Sequence, residues 1–198
     1  TGEALGMGKL GRVLLGIGLV LVAGLLVLRM TGLDPEYVDY TTEEYNQRGR
    51  TAWPGLWLTG EVVREPVKDW DWALDVDHPE LGNTIMLETR AWYGLPHSVT
   101  ILPTPRGEKL YIGGSARSAR LEREFPFFKS WWANVERDPR VRLKIDGKIY
   151  EMTAALVNDP EELAVIIGRD PITKTISENG SEEIVAKWYY WRVFQRNV

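Results

Sequence analysis

From Thr84 to Leu156 the chain is a series of short β-branched and aromatic runs cut by turn residues, and this pattern restricts the fold more than any other feature. The runs are Thr84–Arg90, His97–Leu102, Lys109–Ser115, Arg140–Ile145 and Lys148–Leu156. Gly, Pro or Asp bounds each of them, as expected of strands. A Pro-rich turn follows Leu102, and Asp146-Gly147 reverses the chain between the last two runs. Closely spaced strands with tight turns predict a mainly β, α+β domain: a small antiparallel β-barrel with flanking helices.

Three helices are predicted around it. Phe127, Trp131 and Val135 recur at i, i+4, i+8, giving a helix that starts near Pro126 and ends at Asp138-Pro139. Asn158-Asp159-Pro160 opens a second, with Leu163, Ile166 and Ile167 facing inward and Gly168 stopping it. Ser181 caps a third running to Gln195, with Ile184, Trp188 and Trp191 as its buried stripe. The barrel domain is accordingly placed at 84–170, with 171–198 as a C-terminal helix packed against it.

The N-terminal part reads differently. Val13 to Leu28 is apolar and uncharged, and Leu10, Met30 and Leu33 extend the run toward the roughly 20 residues a bilayer core requires. No small-residue cleavage site follows Leu28, and the segment is apolar all round. The expectation is a tail at 1–12, a single transmembrane helix at 13–30 and an aromatic lead-in at 31–83. Lys9 and Arg12 before the helix against Arg29 after it put the N-terminus inside. The folded domain then stands on the outer, periplasmic side of a bacterial inner (cytoplasmic) membrane. The lead-in aromatics, Trp53 and Trp57 among them, either sit at headgroup depth or pack onto the barrel. Pro54-Gly55 prevents a continuous helix there.

Composition then excludes chemistries. There is no cysteine, so disulfides, thiolate catalysis and Cys-ligated metals are absent. A net charge of −4 with scattered basic residues argues against nucleic acid as partner. Asp75, Asp77, His78 and Glu80 lie in a polar loop marked by Pro79 and Gly82, and no metal site is expected. Adjacent His97 and Ser98 on a strand point to opposite faces and cannot act as base and nucleophile. What remains is Gly113-Gly-Ser-Ala-Arg-Ser-Ala-Arg120, where glycines let the backbone approach a ligand and Ser115, Arg117, Ser118 and Arg120 offer phosphate donors. The competing reading is a solvated loop whose arginines pair with Glu122 and Glu124.

Trp131/Trp132, Asn134, Asp138-Pro139, Val141 and Leu143 followed by an Asp-Gly hairpin resemble the flavin-binding split β-barrel superfamily. That group includes pyridoxamine-phosphate oxidase-like proteins and deazaflavin-dependent nitroreductases. The resemblance covers Thr84 to Ile167. It implies a barrel that often dimerises, with FMN or a deazaflavin in a groove between protomers. Its phosphate would be held by Ser115, Arg117, Ser118 and Arg120. Arg90, His97, Ser98 and Thr100 would line the groove, and Trp131 would flank the ring or fill the barrel mouth. The oxidase pattern has Arg-Lys where this chain has Arg-Ser-Ala-Arg. Two functions stay open: a membrane-anchored flavin or deazaflavin oxidoreductase, or a cofactor-free accessory subunit of a membrane complex, with the barrel as an interaction module.

Overall fold

The structure, a computed structural model, describes residues 8–36, 53–74, 84–117, 131–168, 172–176 and 181–196. It begins with α1 (Lys9–Thr31), which has no buried residue and is long and apolar enough to cross a membrane. Then come β1 (Glu61–Val62) and a 3-10 turn at Asp71–Leu74. Next are β2 (Ile85–Arg90), β3 (Pro96–Ile101), β4 (Pro103–Arg106) and β5 (Lys109–Arg117). After these follow α2 (Trp131–Arg137), β6 (Arg140–Ile145), β7 (Lys148–Leu156), α3 (Pro160–Ile167), β8 (Ile172–Ile176) and β9 (Glu182–Gln195).

The strands form one curled, mainly antiparallel half-barrel sheet in the order β3-β2-β6-β7-β9-β5-β4. β1 adds in parallel to β7, and β8 adds to β9. The five strands expected from the sequence are all present. Asp146 (φ 50) and Gly147 (φ 71) both lie in the left-handed region, which makes the β6–β7 reversal a type I′ turn. α3 starts and stops as its sequence dictates: the Asp159 carboxylate accepts from the Glu161 N–H, and Gly168 (φ 65) closes the C-terminus.

Two elements depart from expectation. The stretch from Ser181 to Gln195 is the strand β9, not a helix. Its alternation of Tyr189, Trp191 and Val193 toward the core competes with the helical spacing of Trp188 and Trp191. The strand wins because it fills the backbone hydrogen bonds of β5, β7 and β8 together. The sheet therefore runs on beyond residue 170 rather than ending there. The Pro-rich turn is partly the strand β4, with Pro103 and Pro105 opposite Ile112 and Leu110. β4 is the edge of the sheet order, where a residue lacking an N–H is tolerated.

The core lies inside the curl. Ile85, Leu87, Leu110, Ile112, Val141, Leu143, Ile145, Met152, Trp191 and Val193 fill it. Trp70 meets Tyr150 edge-on at 5.3 Å, and Trp131 meets Trp191 at 5.0 Å. Each such side chain contributes about 1.5–3 kcal/mol by leaving water. The start of the helix expected near Pro126 and the loop of Asp75, Asp77, His78 and Glu80 lie outside the described residues.

On the outer face of β5, α3 docks through Tyr111, whose hydroxyl donates to Glu162 Oε1 at 2.5 Å. Burial, then the bond and charge of Glu162, push the Tyr111 hydroxyl up to about 12 from 10.0. A raised acid pKa stabilises the fold fully below pH 10 and is lost as pH rises through about 12. Denaturant unfolding of Tyr111→Phe should be less stable at neutral pH by about 1 kcal/mol. It should also lack part of the wild-type loss of stability between pH 10 and 12.

Candidate functional site

The register separates the strands' two ends. At one end are the β6–β7 turn and the exit of α1, where Gly60 lies against the Gly147 carbonyl and the Thr59 hydroxyl donates to the Thr31 carbonyl. At the other are the β2–β3 turn, α2 and the C-terminal half of β5, because Ile85 is level with Ile101 while Arg90 lies at the far end. This second end is the candidate site.

α2 spans it. Trp131 lies against Gly114 of β5, while Asn134 Nδ2 donates to Thr89 Oγ1 at 3.0 Å on β2. Arg137 Nη2 donates to the Arg90 carbonyl at 2.6 Å and to Asn134 Oδ1 at 3.0 Å. The Thr89 hydroxyl in turn donates a hydrogen bond to the His97 carbonyl at 3.3 Å. Three strands separate β2 from β5 in the sheet, so one short helix touching both closes the mouth of the curl.

The charges there are unequal in their partners. Asp138 is held by Arg140, whose Nη2 lies 2.8 Å from Oδ2. The hydrogen bond from the Arg140 guanidinium, helped by its N–H and by the charge of Arg90, brings the Asp138 carboxyl down to about 2. Arg90 and Arg137 are exposed and have no carboxylate at ion-pair distance among the described residues.

The expected site residues divide into groups. Arg90 and His97 lie at this end but on opposite faces: His97 is level with Thr89 and buried, while Arg90 shares the face of Glu88 and Ser98. Ser98 and Thr100 face the other side of β3, as the alternation required. There they are covered: Ser98 exchanges main-chain hydrogen bonds with Gly55, and the Thr100 hydroxyl donates to the Glu36 carbonyl. Trp131 is core, filling the barrel mouth. Ser115 and Arg117 take register positions opposite Trp188 and Ala186 on β9, while Ser118 and Arg120 lie outside the described residues.

Gly113 and Gly114 have a different use from the one expected. A Cβ on Gly113 would sit 2.6 Å from Tyr190 Cε1, and one on Gly114 would sit 3.0 Å from Trp131 Cζ2. The bare glycine faces are filled by aromatic rings, not left open for a ligand. Asn134, Arg137 and Thr89 were absent from the expected site. The signal for two of them was the spacing Trp131, Asn134, Arg137, which sets three side chains along one side of a helix.

No protein-family model matches the chain, and no curated protein matches it. Among solved structures, a candidate pyridoxamine 5'-phosphate oxidase from Listeria innocua is 16% identical with a TM-score of 0.35, covering 57% of this chain and 83% of its own. A conserved hypothetical protein from Mycobacterium tuberculosis is 17% identical with a TM-score of 0.33, covering 57% of this chain and 72% of its own. A pyridoxamine 5'-phosphate oxidase-related, FMN-binding protein from Nostoc punctiforme is 14% identical with a TM-score of 0.30, covering 57% and 71%. Scores of this size establish neither a shared fold nor a shared chemistry. The functional reading rests on the chain's own residues.

Asn134→Ala removes the donor to Thr89 and the acceptor of Arg137 together. Denaturant unfolding should show a loss of about 1–2 kcal/mol. An unchanged midpoint would mean that α2 is held at the mouth by its tryptophans alone.

Proposed function

We propose that the chain is a membrane-anchored split-barrel protein that binds FMN or a deazaflavin at the mouth closed by α2 and serves oxidoreduction. The observation that carries the reading is the meeting there of two parts of the chain far apart in the sheet. Arg90 on β2 and Arg137 on α2 offer two guanidinium groups without carboxylate partners among the described residues. The end of β5, leading toward Ser118 and Arg120, runs to the same end of the strands. Arginine forks at the rim of an apolar mouth suit a phosphate carried by a planar ring.

The donors fit the phosphate better than the ring. Arg90 and Arg137 would hold the phosphate, with Ser115 and Arg117 on the approaching strand. Trp131, in the core, would form the floor and exclude water. Ser98 and Thr100 do not reach a ring while the lead-in covers them. The cofactor would supply hydride transfer, and the protein binding and dryness. A homodimer through the barrel would give a second wall to the mouth.

The apolar α1 supports anchoring, and Lys9 and Arg12 against Arg29 favour a bacterial inner membrane with the domain on the outer side. One observation favours the second reading, a cofactor-free accessory subunit: the lead-in seals the face of Ser98 and Thr100.

The full chain purified in mild detergent should carry a flavin or deazaflavin absorption band in near-stoichiometric amount. Arg90→Ala with Arg137→Ala should lose most of that band, and the loss of the Arg137 bonds to the Arg90 carbonyl and Asn134 should lower stability by about 1–2 kcal/mol without unfolding the chain. A band unchanged by the double substitution would move the phosphate elsewhere. Tryptophan absorbance alone, unaltered by added FMN or deazaflavin, would leave the accessory-subunit reading.

A further inference from the structure

Two aromatic rings stand in water in the turn between β2 and β3. Trp92 is 67% exposed and Tyr93 51%. The turn that carries them is fixed by its own main chain. The Ala91 N–H donates to the Leu95 carbonyl, the Gly94 N–H donates to the Ala91 carbonyl, and Gly94 takes the left-handed region (φ 86). Ala91, at its foot, is buried. The two rings meet edge-on, with centroids 5.4 Å apart and planes at 85°. An edge-to-face contact uses at most one face of Trp92, so the other face stays open. Trp131 and Trp132 on α2 differ: the first is core and the second packs against it.

Two guanidinium groups stand at the foot of the same turn. Arg90 ends β2 two positions before Trp92, which holds their Cα atoms within about 7 Å. Arg137 Nη2 lies 2.6 Å from the Arg90 carbonyl. Arg90 is also close enough to Asp138 for its charge to help lower that carboxyl. Asp138 is already held by Arg140, so among Arg90, Arg137, Asp138 and Arg140 the balance is positive. Excess arginine beside an open indole matches a ligand that joins an anion to a flat aromatic ring. A bilayer does not account for the exposed rings, because α1 leaves from the opposite end of the strands.

We infer that Trp92 is the ring platform of this site: the phosphate rests on Arg90 and Arg137, and the flat ring lies on the open face of Trp92, braced by Tyr93. The inference rests on the flavin reading and assigns its ring. Trp131, only 6% exposed, has no free face to offer. It remains the floor of the mouth, and Trp92 supplies the wall on which the ring lies.

The full chain in mild detergent is titrated with FMN and, separately, with riboflavin. Binding is counted by equilibrium dialysis, and stacking is read from the flavin's own emission, which an indole quenches on contact. Wild-type chain should quench the flavin it binds. Trp92→Ala should weaken FMN about tenfold and restore much of the emission of the flavin still bound. Riboflavin should lose the same factor, because the loss concerns the ring and not the phosphate. Trp92→Phe should keep most of the affinity. Trp53→Ala, which removes a comparably exposed indole from the lead-in, should change neither readout. FMN binding and emission unaltered by Trp92→Ala would overturn the platform and leave the arginine reading standing. If that variant also passed from dimer to monomer in sedimentation, the turn would belong to a second copy of the chain. A wild-type chain that retains neither FMN nor a phosphorylated deazaflavin would sink the flavin reading and the platform together.

Discussion

The sheet holds together through β9. It pairs with β5 along one flank and with β8 and then β7 along the other. Without it, β5 with β4 has no hydrogen-bonded path to the rest, and the curl that encloses Leu110, Ile112 and Leu143 cannot form. The same strand contributes Trp191, the ring against which Trp131 is set, so β9 also decides where α2 sits. The closed mouth, with Arg90 and Arg137 at its rim, is a consequence of that pairing.

Much of this was legible from residue type alone. Runs of Val, Ile, Thr and Tyr bounded by Gly and Asp gave five strands and the Asp146-Gly147 turn, because both signals are local. The Asp159 cap and Gly168 stop fixed α3 for the same reason. β9 was not legible as a strand. Trp188 and Trp191 fit a helical stripe, Tyr189, Trp191 and Val193 fit a strand face, and the choice between them is made by partners distant in sequence. β4 was hidden by prolines that are tolerated only because nothing pairs with its far side along the sheet order.

The site was legible in part. Arg90, His97 and Trp131 do gather at one end of the strands, because the β2–β3 turn and α2 both close that end. Alternation on β3 placed Ser98 away from His97, but nothing in the sequence revealed that residues 32–36 and 53–60 would lie over it. Glycines after a strand looked like room for a ligand. Here Tyr190 and Trp131 fill that room, a packing role that depends on which rings the sheet brings opposite. Asn134 and Arg137 carry the polar bridge between the sheet's ends, and their partners, Thr89 and the Arg90 carbonyl, can be named only once the sheet has curled.

The resulting picture is a half-barrel with one end joined to an apolar helix and the opposite end carrying Arg90 and Arg137, which have no carboxylate at ion-pair distance among the described residues. Its central claim is that those arginines hold the phosphate of a flavin. A titration of the purified full chain with FMN and, separately, with riboflavin tests this most directly, read by quenching of the tryptophan emission. The account predicts saturable quenching by FMN that riboflavin, lacking the phosphate, reproduces only weakly. Equal responses to the two, or none to either, would contradict it.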